Sequence, residues 1–419
     1  MTFLGNPTMK LSSLVRSLLP GIFLFGYCIG TGSVTAMAKA GAEFGMGLLW
    51  TVLLSCLITY FLIDLYGKFT LVTGETALAA FRRHLHPAVG VFFIVALTVN
   101  VSGSVIGVMG ILADVCHVAS LRVLSGGIPR LVFALGFIAL VYALFLAGRT
   151  RVFERTMAIL VAVMSVCFLL NLFVTAPAWS DIAQGLVPQL PRVESGRNSF
   201  LVIASMVGTT VFSGLFILRG SFIKEAGWTL ADLGMQRRDA AFSAGMMFIV
   251  SASIMAAAAG TLHAKGVPME NVAQMLELLE PLAGTFATVL FTVGVIAAGL
   301  SSQFPNVALL PWLLNDYHQR GSEVRRLDYR LYVLGISLLG LIVPIFNARP
   351  ILVMTASQAF GALILPATTL CLLILGNRRK LMGPHKFSLM INLLLIAVLI
   401  FALTMSYFSL SGLIGAARG

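Results

Sequence analysis

Long apolar runs separated by short polar gaps make up most of the chain. Eleven runs are long enough to cross a bilayer, at about 13–38, 47–66, 89–113, 130–147, 153–175, 200–223, 240–262, 283–313, 329–346, 350–376 and 387–412. A helix needs roughly 20 apolar residues to match the hydrocarbon thickness. An open chain in lipid must satisfy its own backbone hydrogen bonds, so each run is predicted to be a helix. The pattern predicts an all-α membrane protein with one transmembrane domain spanning residues 1–419. The first run carries no small-residue cleavage pattern and many more runs follow it, so it reads as a span. The gap from Lys224 to Asp239 is polar enough to lie at the surface.

Two spans are interrupted. The first contains Gly30-Thr31-Gly32-Ser33 and the sixth contains Phe212-Ser213-Gly214. Glycine and serine weaken a helix interior and let other groups approach the backbone. Small residues also serve plain helix packing in membranes. Here, however, the interruptions open two five-span halves of opposite orientation, about 13–175 and 200–376, with 387–412 as an additional helix. Broken helices at corresponding positions of inverted repeats point to a transporter's central site.

Composition agrees with lipid as the solvent. Apolar residues are 58% and charged ones 11%, against about 25% charge in an ordinary soluble domain. The net charge of +12 suggests nucleic acid at first sight. Its lysines and arginines lie in the gaps between spans instead of forming a stripe, which excludes that class. With the N-terminus inside, about nineteen of them fall on the inner side and about eight on the outer. That bias predicts a cytoplasmic N-terminus and, after eleven spans, an external C-terminus in a bacterial cytoplasmic membrane. The five cysteines are scattered singly with no CxxC spacing, so neither disulfides nor zinc is expected.

The residues expected to line a substrate site are Gly30, Thr31, Gly32, Ser33, Thr210, Phe212, Ser213 and Gly214. Arg219, Asn100 and Gln358 are polar groups within spans and are candidates for the permeation path. Each has a blander reading. Arg219 can snorkel to the interface, Asn100 and Gln358 can make interhelical hydrogen bonds, and Thr209 and Thr210 can bond back within their helix.

Several runs resemble the NRAMP divalent-metal transporters. Pro20-Gly21 through Ala40-Gly41-Ala42-Glu43-Phe44-Gly45, ending Leu48-Leu49-Trp50, is similar to that family's first helix. Val72-Thr73-Gly74, Val105-Ile106-Gly107 and Leu186-Val187-Pro188 follow, then Ala297-Ala298-Gly299-Leu300-Ser301-Ser302, Ser357-Gln358 and Leu365-Pro366, in the family's order. The resemblance implies a LeuT-type fold with inverted repeats of helices 1–5 and 6–10, and alternating access. The family's functional motifs are absent. Its Asp-Pro-Gly-Asn falls on Gly30, Thr31, Gly32 and Ser33, and its Met-Pro-His on Phe212, Ser213 and Gly214. A second family histidine falls on Arg219, and two acidic positions of the third helix fall on Val101 and Ser104.

Without those groups, a dication at mid-membrane faces a large desolvation cost. Half-helix N-termini favour negative ligands while half-helix C-termini oppose them; the missing carboxylate, with Arg219 as a candidate for an inner anion path, makes the leading expectation a secondary transporter of a small anion such as bicarbonate. A divalent-metal transporter with a recoded hydroxyl and carbonyl site is one alternative. A non-transporting membrane sensor or partner subunit is another. No enzyme site, cofactor or resident metal is expected, and the expected unit is a monomer in the bilayer. A co-transported sodium ion is compatible with carbonyls and hydroxyls, but no residue set in the sequence demands it.

Overall fold

The first predicted span is broken in the computed structural model. A helix whose last described residues are 26–28 ends at Ile29 and Gly30, and a new helix, α1, runs over Thr31–Phe44. The structure describes residues 26–418 apart from 122, 147–149, 176–178, 190–198, 272–273, 275–279 and 320–325, so the start of that span lies outside the described residues. The remaining helices of the first half are α2 (Leu49–Thr73), α3 (Pro87–Leu121), α4 (Arg130–Leu146) and α5 (Thr150–Thr175). The sixth span is likewise two helices, α6 (Ser199–Thr210) and α7 (Ser213–Glu225). Then follow α8 (Leu233–Ala258), α9 (Glu280–His318), α10 (Leu327–Leu338), α11 (Pro350–Gly376) and α12 (Leu389–Arg418).

Among the described residues, eight segments are long and apolar enough to cross a bilayer, while α4 and the apolar part of α5 are shorter. Every predicted span beyond the first thus has a helix. Several boundaries differ from expectation, with α2 running to Thr73 instead of 66 and α3 to Leu121 instead of 113. The first span continues to Phe44 instead of ending at 38. The gap Lys224–Asp239 is not wholly a surface segment, because α8 begins at Leu233 and its Gln236 and Asp239 are completely buried. Both are polar side chains that find polar partners inside the protein, which makes their burial tolerable.

Side-chain periodicity sets which face of each helix meets lipid. On α3, Val91, Val95 and Val99 form an exposed stripe four residues apart, while Phe93, Leu97, Val101 and Val105 are buried. With no hydrophobic drive between helices in lipid, close packing has to hold them together. α8 packs on α1 and α2, and α7 on α2; α11 packs on α3, α6 and α12, and α9 on α3 and α5. Gly208 of α6 shows how close this packing is. Any side chain there would strike the backbone carbonyl of Gln358 on α11. α1 and α6 both pack on α11.

A buried cavity at the two helix breaks

A cavity of about 30 Å³ opens where the breaks meet α3, α9 and α11. That is room for about two waters or one desolvated inorganic ion. Of the residues expected from the sequence, Gly30, Gly32, Ser33, Phe212, Asn100 and Gln358 line it. Thr31, Thr210, Ser213, Gly214 and Arg219 do not. The Thr210 hydroxyl bonds back to Met206 O at 2.9 Å, the ordinary fate of a helical threonine. Gly214 acts indirectly, since a side chain there would strike the Phe212 ring. Phe212 in turn meets Tyr27 edge-on at 5.4 Å and closes one wall.

The structure adds Tyr27, Cys28, Val101, Ser104, Thr209, Ser302 and Asn306 to the lining. Asn306 is the notable addition. Its signal in the sequence is its spacing, one helical turn beyond Ser302 and on the same face. No Asp, Glu, Lys, Arg or His lines the cavity among the described residues.

The lining amides are oriented. Asn100 Nδ2 donates to Ser357 O at 2.7 Å, and only an NH2 group can face a carbonyl. Asn306 Nδ2 donates to Ser104 Oγ at 3.2 Å. Gln358 Nε2 reaches Ser104 Oγ at 3.4 Å and Met354 Sδ at 3.3 Å. All three amides therefore turn their N–H groups towards protein acceptors and their carbonyl oxygens away from them. Ser104, accepting two N–H groups, has its own O–H left to donate.

Each break also starts a helix. The residue before α1, Gly30, and the residue before α7, Phe212, have extended backbones, and neither side chain caps the helix that follows. Both residues line the cavity, so the first N–H groups of α1 and α7 begin at its wall. The hydroxyls of Thr31, Ser33 and Ser213 are buried with no protein hydrogen bond. A buried polar group left unsatisfied costs about 1–3 kcal/mol. Ser33 alone of these three lines the cavity, where a solute can satisfy it.

Arg219 stands apart from the site. It is fully buried and its Nη2 lies 2.7 Å from Asp239 Oδ2. The same Nη2 is 3.5 Å from Gln236 Oε1, and the guanidinium sits over the Trp228 ring at 5.5 Å. Gln236 Nε2 continues the network to Asp64 O at 3.0 Å. Arg219, expected as a candidate for the permeation path, is thus paired with Asp239 and lies outside the lining of this cavity. Lys39, similarly, pairs with Glu43 one turn away at 2.7 Å.

Discontinuous helices meeting at a small polar cavity among packed apolar helices define a membrane transporter, not an enzyme. The chain belongs to the natural resistance-associated macrophage protein-like (NRAMP) family, whose model matches residues 22–411. Its relatives include the divalent metal cation transporter MntH of Acidiphilium cryptum, 25% identical over 84% of this chain and 80% of that protein. The MntH of Clostridium acetobutylicum is 23% identical over 90% of this chain and 86% of its own length. Among solved structures, a manganese transporter from Eremococcus coleocola superposes with a TM-score of 0.76 at 18% identity, covering 99% of this chain and 90% of that one. Mhp1, a nucleobase-cation-symport-1 family transporter, matches at 0.57 and 17% identity, covering 96% and 90%. These likenesses establish the LeuT-type fold with broken first and sixth helices.

Proposed function

We propose that the protein is a secondary transporter that moves a small inorganic cation by alternating access, with a divalent metal ion as the first candidate. The observation that carries this reading is the orientation of Asn100, Asn306 and Gln358. Each donates an N–H to the protein, which leaves its amide oxygen available to a cation. Neutral oxygens can replace a cation's water when several converge, as backbone carbonyls do in ion-selective filters. The relatives named divalent metal cation transporters support the same substrate class. In this reading the family's acidic site has been recoded to neutral donors. The volume of the cavity limits the substrate to an ion or a molecule of a few atoms.

A second reading, a small anion such as bicarbonate, rests on a different observation. The uncapped starts of α1 and α7 and the unpartnered Ser33 hydroxyl present donors to the same cavity. The positive-inside bias supports a cytoplasmic N-terminus and an external C-terminus in a bacterial cytoplasmic membrane.

Purified protein in liposomes separates the readings when manganese and labelled bicarbonate uptake are measured side by side. Manganese uptake without bicarbonate uptake is expected, and the reverse selects the anion. Binding of either ion without flux would select the sensor reading. Ser33→Asp sharpens the result. A carboxylate in this cavity should tighten manganese binding at least roughly tenfold, because opposite charges attract by several kcal/mol at partly buried sites. An anion carrier would instead lose its substrate.

A further inference from the structure

The loop between α11 and α12 carries Arg378, Arg379, Lys380 and Lys386. All four are exposed, and none takes part in an ion pair among the described residues. No Asp or Glu follows Asp328 in the chain, so the loop has no acidic neighbour of its own. Like charges so placed repel one another until an anion meets them. We propose that this loop is a docking site for the phosphate headgroup of an anionic phospholipid, whose acyl chains lie along α11 and α12.

The loop is tightly built. Asn377 and Asn392 exchange amide hydrogen bonds at 2.7 and 2.8 Å, which ties the end of α11 to the start of α12. Phe387 N–H donates to Gly376 O at 3.0 Å, and the Phe387 ring occupies the space that a side chain at Gly376 would need. Met382 and Phe387 are buried, so the loop hangs on two apolar anchors while its cations face outward. Neighbouring segments hold it in place. Arg378 Nη1 donates to His84 O in the segment before α3. Lys68 of α2 adds a fifth positive charge, with its Nζ 5.9 Å over the Phe387 ring. Glu75, the carboxylate bonded to that same His84, is taken by Arg83 and His84 at 2.9 Å each. It leaves the four loop cations unmatched.

Position and chemistry together select a lipid. Leu370 and Ile374 are exposed on α11, four residues apart and leading to the loop. Leu389, Met390 and Leu393 are exposed at the start of α12. Bare apolar side chains beside bare cations match a molecule with a charged head and hydrocarbon tails. Basic clusters at a membrane surface bind anionic headgroups, gaining about fivefold in affinity for each Lys or Arg. Arginine also presents paired N–H donors that fit phosphate oxygens. The end of α11 and the start of α12 lie side by side, so their opposite partial charges offset each other and the side chains decide the sign. A headgroup held here sits where α11, whose Gln358 lines the cavity, meets the segment leading into α3.

The test is thermal unfolding of the purified protein in an uncharged detergent at low salt, titrated with phosphatidylglycerol, phosphatidylcholine or inorganic phosphate. Phosphatidylglycerol alone is expected to raise Tm in a saturable way, as a ligand of the folded state does. The double variant Arg379→Gln, Lys380→Gln should raise the half-saturating phosphatidylglycerol concentration about 25-fold, at about fivefold per cation. Both side chains are exposed, so the variant keeps its packing. Lys265→Gln, Arg349→Gln removes the same charge from exposed positions elsewhere and should keep the full response. The comparison uses the lipid dependence and not the absolute Tm, so a less stable variant still reports. An equal response to phosphatidylcholine overturns the proposal, because hydrocarbon alone would then suffice. A matching shift with inorganic phosphate overturns it in favour of a free anion. A phosphatidylglycerol response unchanged in Arg379→Gln, Lys380→Gln, or weakened equally in Lys265→Gln, Arg349→Gln, overturns the placement.

Discussion

Asp239→Leu should destabilise the protein by about 3–5 kcal/mol, the largest stability effect expected of any single substitution here. Arg219 is completely buried and Asp239 is the carboxylate that neutralises it at 2.7 Å. Removing the carboxylate strands a guanidinium that cannot lose its charge and has no route to water. Gln236 and the Trp228 ring remain beside it, but a neutral amide oxygen at 3.5 Å and a ring face replace only part of an ion pair. Arg219→Met should also destabilise the protein, since it takes the guanidinium away from the buried Asp239 carboxylate. The double variant Arg219→Met, Asp239→Leu should recover most of the loss, because a buried pair replaced by packed apolar groups is often neutral or better. Denaturant unfolding of the four proteins as a double-mutant cycle measures the coupling directly. Independent, additive losses below about 1 kcal/mol would mean that water reaches the pair, and would return Arg219 to the permeation path.

Gly32→Val should abolish transport, with uptake of the substrate falling to that of protein-free liposomes. At Gly32 even a Cβ would meet the Gln358 side-chain amide, with its carbon at 2.9 Å and Met354 Sδ at 3.3 Å. The added side chain displaces the Gln358 amide and fills a cavity of only about 30 Å³. The expected stability change is that of overpacking, about 1–3 kcal/mol, so the folded protein remains available for assay. Gly245→Ala is the control. That glycine is exposed on α8 with open space around it. Alanine there should keep full uptake and add about 0.5–1 kcal/mol of stability through helix propensity. Retained uptake in Gly32→Val would place the substrate path away from this cavity.

Much of the molecule is legible one residue at a time. Lipid acts on each segment separately: a run such as 387–412 must be a helix whatever its neighbours do. The breaks at Gly30 and just before Ser213-Gly214 are local too, since they lie beside residues that weaken a helix wherever it packs. Family runs such as Ala297 to Ser302 fix the order of the helices. Asn100, Gln358 and Ser33 could therefore be chosen for the cavity from their types and positions alone.

The tertiary structure decided what the sequence left open, and the reason in each case is contact between residues far apart in the chain. Asp239 reads as part of a polar surface segment until α8 brings it against Arg219 and buries both. Thr210 and Asn306 are both polar residues within spans. Only the packing of α6 and α9 turns the first back into its own helix and the second into the cavity. An amide's composition says nothing about which end faces a ligand; for Asn100, Ser357 O settles that by accepting its N–H. The oxygens of Gly26 and Ser301 are invisible as a pair in sequence and lie 3.4 Å apart in space. A bilayer imposes its rule along the chain, whereas a site depends on where several chain segments meet.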